Sequence, residues 1–211
     1  MISGTRPLMA SMQTDSLIEK AKTGDVAAQS RLVQLWYKRM YNFAFKFFAD
    51  HDLAMEMAQK TFIALHKNIA GLQDVSRFKS WLYTIAANQC RDELRKRKAS
   101  KTSSLNQVME NGDEEHVAVW EVSVHRYSNP ESKVLQHELA DILQKALLKL
   151  PEEQREVLIM KEYEGLKFRE IAEVLNISEN TAKSRLYYAL ESMRKILKEQ
   201  HINKETVGYE I

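Results

Sequence analysis

Apolar residues recur at every third or fourth position through almost the whole 211-residue chain, and helix breakers are scarce, with six glycines and three prolines. That spacing places the apolar side chains on one face of a helix turning ~100° per residue, and it predicts an all-α fold. Asp15 is placed to cap a helix over residues 16–22, which Gly24 breaks. Asp25 starts another, with Ala28, Leu32, Leu35, Trp36, Met40, Phe43, Ala44 and Phe47 inward. Asp50-His51-Asp52 marks a turn before a helix over 53–68. Its apolar residues include Met57, Ile63 and Leu65, and its other face exposes Glu56, Gln59 and Lys60. A loop with Gly71 and Asp74 leads into a helix over residues 77–99. From about residue 100 to 129 the periodicity lapses into Ser, Asn, Gly and acidic residues, the composition of a flexible linker. Pro130 suits the first turn of a helix over 131–149, and a further helix over 152–163 ends at Gly165. The expected architecture is therefore two small helical domains, over residues 14–100 and 130–200. The acidic linker 101–129 joins them, and a disordered extension (1–13) and a tail (201–211) flank them.

The last part of the second domain carries the sharpest local signal. Residues 168–175 form an apolar-sided helix, and Asn176 tolerates the left-handed conformation that ends one. Ser178 can accept a hydrogen bond from a free amide of the next turn. The helix after it turns Ala182, Leu186, Ala189, Leu190, Met193 and Leu197 inward and leaves Asn180, Lys183, Ser184 and Tyr187 outside. Two helices joined by a tight turn, the second with a polar and basic outer face, form the helix-turn-helix layout. A helical hairpin that only packs would share this pattern, so the rest of the chain has to arbitrate.

Charge does so. The net charge of +2 conceals segregation: residues 77–101 hold eight basic and two acidic residues, residues 178–198 five and two, and residues 105–131 one and six. Two basic helices separated by an acidic connector suggest two contacts with a polyanion. In the 77–99 helix, Phe78, Leu82, Ile85, Ala86, Cys90 and Leu94 share one side. Thr84, Asn88, Arg91 and Arg95 share the other, with Lys98 close by and Trp81 at the edge. Cations on that face can neutralise phosphate, and the indole offers a stacking platform for an unpaired base. The single cysteine, Cys90, excludes an intramolecular disulfide and lies on the apolar side, where an inert buried thiol is expected. No apolar run reaches the ~20 residues of a membrane span. The six histidines and the cysteine form no metal-spaced cluster and no Gly-rich phosphate loop occurs, so no metal, cofactor, small-molecule substrate or enzymatic activity is expected. The acidic residues are expected mostly on solvated helical faces.

Taken together, the two halves resemble the sigma-70 family of bacterial transcription initiation factors, in its small extracytoplasmic-function subgroup. DHDLAMEMAQKTFIALHKNI is similar to the segment that docks on core RNA polymerase, and FKSWLYTIAANQCRDELRKRK to the helix that reads and opens the −10 promoter element. In the second half the LPEEQREV run, the EGL turn, the EIAEVL helix and the TAKSRL start of the next helix resemble the domain that reads the −35 element. The resemblance spans roughly residues 14–200. It implies polymerase docking through Asp52, Glu56, Gln59 and Phe62, and −10 contacts through Asn68, Arg77, Lys79, Trp81, Asn88, Arg91, Arg95 and Lys98. It implies −35 contacts through Asn180, Lys183, Ser184, Arg185, Tyr187 and Tyr188. The expected partners are core RNA polymerase, promoter DNA and an anti-sigma factor. The expected location is the cytoplasm, at the inner membrane face where the anti-sigma factor is membrane-bound. Two departures stand out: of the acidic residues usual in the docking segment only Glu56 remains, and Tyr188 stands where the family usually has a basic residue. A stand-alone helix-turn-helix regulator would explain the second half alone but leaves the basic helix of the first half without a purpose. A helical protein-binding adaptor is a further alternative.

Overall fold

The computed structural model describes the backbone of residues 6–104 and 130–199, with side chains over 14–100 and 138–199. Eight α-helices follow one another: α1 (Arg6–Lys22), α2 (Val26–Phe48), α3 (His51–Asn68), α4 (Phe78–Ser104), α5 (Pro130–Leu148), α6 (Glu152–Leu158), α7 (Phe168–Leu175) and α8 (Glu179–Glu199). Two 3₁₀ turns, Ile69–Gly71 and Val75–Arg77, fill the loop before α4, and a π-helical turn, Ile159–Tyr163, continues α6. No strand occurs among the described residues.

The first half is built on α2. Asp25 caps it by accepting from the Ala28 amide, and Ala49, in the left-handed conformation (φ 54°), ends it. Asp50 caps α3 in the same way at the Leu53 amide, so the tight α2–α3 corner is fixed by chemistry written at residues 49–50. Phe43, Phe47, Leu32 and Met40 of α2, Met57 and Leu65 of α3, and Phe78, Leu82 and Tyr83 of α4 are almost wholly buried together. Edge-to-face contacts of Phe43 with Tyr83 (ring centroids 5.7 Å) and of Trp36 with Phe78 (5.6 Å) fix the α2–α4 approach.

Several sequence expectations need correction. Helix α1 starts at Arg6 rather than after Asp15, so residues 6–13, read as a disordered extension, are helical from Arg6 on. Pro7 falls in the first turn, where its missing N–H costs nothing. Helix α4 runs on to Ser104, four residues into the expected linker, because no Gly or Pro interrupts it; residues 105–129, and the tail from 200, lie outside the described residues. Leu35 and Leu190, expected inward, are about half exposed, as is Ile63 of α3. Leu35 and Leu190 lie at the edge of their helices' apolar arcs, and the core of α3 is carried instead by Leu53, Ala54, Met57, Ala58, Thr61, Phe62 and Leu65.

The second half packs α6, α7 and α8 around Val157, Ile159, Leu166, Ile171, Val174, Ala182, Leu186 and Ala189, with α5 laid against α8. The two halves share one continuous core. Helix α4 packs against α7, and the π-helical turn and α5 pack on α2. That contact is why α4 is buried over a wide arc, Tyr83, Ala87 and Cys90 included.

Candidate nucleic-acid interface

The helix-turn-helix forms as its local chemistry dictates. Asn176 adopts φ 53°, and its amide and that of Ile177 donate back to the last carbonyls of α7. At the start of α7 the Glu170 carboxylate accepts from the Lys167 amide at 2.6 Å. At the start of α8 the Ser178 hydroxyl accepts from the Thr181 amide at 3.0 Å. These caps leave α8 with Ala182, Leu186, Ala189 and Met193 buried. Asn180, Lys183, Ser184, Tyr187 and Tyr188 are exposed, as a reading helix requires. Tyr187 and Tyr188 are 66% and 55% exposed and touch only edge to face, at 5.5 Å. Two large aromatic side chains left in water on a basic helix have no role in the core. The Lys183 ammonium lies 5.9 Å from the centre of the Phe168 ring, which braces it from α7. Arg185 differs from its neighbours: it is turned toward α6 and pairs with Glu153 at 2.6 Å.

The residues of the first half expected at −10 are divided by the second half. Trp81 packs on Phe78 (6.1 Å) and keeps part of its indole open; Asn88 and Arg95 are exposed, the latter pairing with Asp92 in its own helix. Asn68 is exposed at the end of α3 and donates to the Ala64 carbonyl. The other cations of this set are held by the second half. Arg77 meets Glu173 at 2.7 Å, Lys98 meets Glu152 at 3.1 Å, and Arg91 Nε lies 3.3 Å from Glu156 Oε1. Lys79 reaches the Gly165 carbonyl at 3.5 Å. Ser80 Oγ donates to Glu173, and the buried Tyr83 hydroxyl donates to Glu164.

Glu156 is the exception to the expectation that the acidic side chains mostly sit on solvated faces: it is 3% exposed. Arg91 is close to its Oε1 but not aligned as a donor, and that oxygen has no hydrogen-bond partner in the protein. Burial therefore pushes its carboxyl up to about 7, against the opposing pull of Arg91, Arg185 and Arg155. Arg155 of the same helix lies over the Phe47 ring at 4.9 Å and donates to the Leu148 carbonyl. Lys46, almost wholly buried, lies 4.7 Å from the centre of the Tyr163 ring. The π-helical turn makes that contact possible: its wider bonds, Glu164 N to Ile159 O and Leu166 N to Met160 O, swing Tyr163 and Glu164 toward α2 and α4. Neither Tyr83 nor Glu164 is distinguishable in the sequence from an ordinary core tyrosine and a surface glutamate, since the partners are 81 residues apart.

Between them, α2 and α3 leave an open apolar groove of about 590 Å3, lined by Val33, Tyr37, Met55, Gln59, Phe62, Ile63 and His66. Phe62 is its floor, stacked on Tyr37 at 6.2 Å, and Gln59 its rim. Asp52 and Glu56 are exposed on the same helix, with Glu56 paired to Lys60 at 2.6 Å.

The model of Sigma-70 region 2 matches residues 32–100, the helices that carry the groove and the basic face, and that of Sigma-70 region 4 matches residues 140–193, which contain the helix-turn-helix. The ECF RNA polymerase sigma factor SigW of Bacillus subtilis is 30% identical over 89% of this chain and 98% of its own. The chain belongs to the sigma-70 family. It is a transcription initiation factor of the ECF type, with both promoter-side regions present. The RNA polymerase sigma-H factor of Pseudomonas aeruginosa is 27% identical over 90% of this chain and 96% of its own. The fold of the factor matches the sigma factor RpoE solved with the anti-sigma factor NepR from Bartonella quintana, with a TM-score of 0.64, 23% identity and coverage of 80% of this chain and 96% of that one. It also matches CnrH solved with the cytosolic domain of CnrY, with a TM-score of 0.62, 21% identity and coverage of 88% and 97%.

Proposed function

We propose that this factor binds core RNA polymerase through the α2–α3 groove and reads promoters at two points, the −10 element with α4 and the −35 element with α8. The observation that carries the reading is the face of α8: Asn180, Lys183, Ser184, Tyr187 and Tyr188 stand in water on a rigidly capped helix whose opposite side is core. Lys183 can donate to guanine O6 or N7, and either tyrosine can meet a thymine methyl or a phosphate. Arg185, held by Glu153, is a backbone contact rather than a base reader. At −10, Asn68, Arg77 and Lys79 border an extruded base, while Trp81, Asn88, Arg91, Arg95 and Lys98 support the separated strand. Unstacking that base costs a few kcal/mol, which binding to the basic helix offsets. The apolar groove, with Gln59 and Phe62 in it and Asp52 and Glu56 beside it, is the surface for a polymerase helix. The factor has no catalytic step of its own and acts in the cytoplasm. Among the described residues no helix is long and apolar enough to cross a membrane. Its regulator is an anti-sigma factor, the kind of partner with which the similar RpoE of Bartonella quintana is solved.

The test is transcription in vitro with core polymerase on sheared DNA of the source bacterium, with transcript 5′ ends mapped. Defined start sites preceded by a shared pair of motifs are expected. DNA binding without factor-dependent initiation would identify a stand-alone regulator instead. Lys183→Ala should cost ~1–3 kcal/mol of promoter binding and relax preference at one −35 position; an unchanged preference and salt slope would remove Lys183 as a base reader.

A further inference from the structure

Two cations of α8 are held in different ways. Arg185 is tied to the Glu153 carboxylate at 2.6 Å. Lys183, two residues earlier, pairs with no carboxylate among the described residues; its ammonium rests 5.9 Å from the centre of the ring of Phe168, the first residue of α7. The same ring carries a second cation. Lys161, in the π-helical turn, places its ammonium 4.9 Å from the ring centre and donates to the Leu166 carbonyl at 3.4 Å. Phe168 is itself partly buried against the core, so the ring is fixed both by packing and by a tethered ammonium. We infer that Phe168 is a positioning residue for −35 recognition: it aims the Lys183 ammonium and, acting through it, contributes to the choice of base pair. The inference rests on the reading of Lys183 as a base contact.

The chemistry of the brace suits that task. A lysine ammonium has three donors and swings on a flexible four-carbon stem. A carboxylate brace would occupy donors and offset the charge, and it would have to be displaced before the ammonium could reach guanine O6 or N7. An aromatic face attracts the cation through its quadrupole, takes no directed hydrogen bond and leaves the charge in place. The side chain therefore meets the groove already held, and it loses less rotamer freedom on binding than a free lysine would. The three side chains come from the π-helical turn, α7 and α8. The aim of Lys183 thus depends on how the turn presents α7 to α8, and is not a property of the second helix alone.

The test uses holoenzyme assembled from core polymerase and the full chain, titrated by competition with a mapped promoter and its single-base-pair −35 variants. Lys183→Ala marks the base pair that Lys183 reads, as the position where preference relaxes. Phe168→Leu keeps an apolar side chain and deletes the ring. It is expected to reduce discrimination at that same position about two- to fivefold. The other −35 positions and the salt slope should not change, since the charge of Lys183 remains. Phe168→Tyr keeps the ring and should restore discrimination, and Phe168→Leu added to Lys183→Ala should change nothing further at that position. Pentafluorophenylalanine at position 168 nearly keeps the size of the ring and reverses its charge distribution, so it should reproduce the loss; it decides the case in which Phe168→Leu loosens α7. Undiminished discrimination in the fluorinated protein, or an equal loss at every −35 position, overturns the positioning role and leaves Phe168 to packing alone. If Lys183→Ala relaxes no position, the base-contact reading itself falls and takes this inference with it.

Discussion

Replacing Glu156 by Gln should stabilise the protein, and by an amount that depends on pH. The carboxyl is 3% exposed, one of its oxygens lacks a donor, and its value stands at about 7 against an ordinary 4.5. A folded-state value above the unfolded one means that the folded protein binds the proton more tightly. Above pH 7 the carboxylate is charged in both states, and the folded state bears the whole cost of burying it. At ~1.4 kcal/mol per pH unit of displacement that cost is roughly 3 kcal/mol. As pH falls from 7 toward 4.5 the folded form takes up its proton first, and the cost fades. The neutral, isosteric Gln removes the cost at every pH. Glu156→Gln should therefore raise the free energy of unfolding by about 3 kcal/mol at pH 7.5 and by only about 1–1.5 kcal/mol at pH 5.5. Urea titrations of both proteins at the two pH values, followed by circular dichroism, give the difference directly. The groups facing this carboxyl are Arg91 from α4, Arg155 and Glu152 from its own helix, and Arg185 from α8. Three of the four are guanidinium groups, a chemical type that proteins do not deprotonate in this range, so the pH trend belongs to Glu156. A loss of stability at pH 7.5, or an equal gain at both pH values, would refute the reasoning and show that the ion pair with Arg91 outweighs desolvation.

Other substitutions probe single contacts. Tyr83→Phe deletes the hydroxyl that donates to the partly buried Glu164 and should cost ~1.5–3 kcal/mol in the same titration; Tyr83→Phe combined with Glu164→Gln should recover part of it. Ser178→Ala removes the cap on the Thr181 amide and should cost about 1 kcal/mol, with a matching fall in duplex −35 binding as the start of α8 frays. Lys60→Gln frees the exposed Glu56 carboxylate from its 2.6 Å ion pair and should strengthen polymerase binding by a few-fold in a pull-down titration, since it restores negative charge to the docking segment.

Much of the local structure was legible because it depends on neighbours in sequence. Asp25 and Asp50 cap the helices they precede, Asn176 turns left-handed, and Ser178 caps α8, each within four residues of its partner. The buried side of α8 followed from helical spacing except at Leu190, on the margin of the arc, where a few degrees of helix rotation decide burial. The exposed polar face of α8 is legible for the same reason: it is what remains once the core side is assigned. The α2–α3 groove was half legible. Gln59 and Phe62 were named, but Tyr37, Met55 and Ile63 line it because α2 and α3 cross at a particular angle, which no single-helix pattern encodes.

What the chain alone determined, then, is the set of helices, their caps, and the two basic faces, because periodicity and charge are properties of short stretches. What the tertiary structure decided is how those faces are used. Glu152, Glu156, Glu164 and Glu173 look in sequence like ordinary surface acids. They become partners of Lys98, Arg91, Tyr83 and Arg77 only because α6, its π-helical turn and α7 are laid along α4. Contacts between residues 54 to 96 positions apart are set by the packing of apolar surfaces that many alternative arrangements could satisfy locally. Only the complete core selects one of them, and with it the burial of Glu156 and the division of the α4 face into an open edge and a covered one.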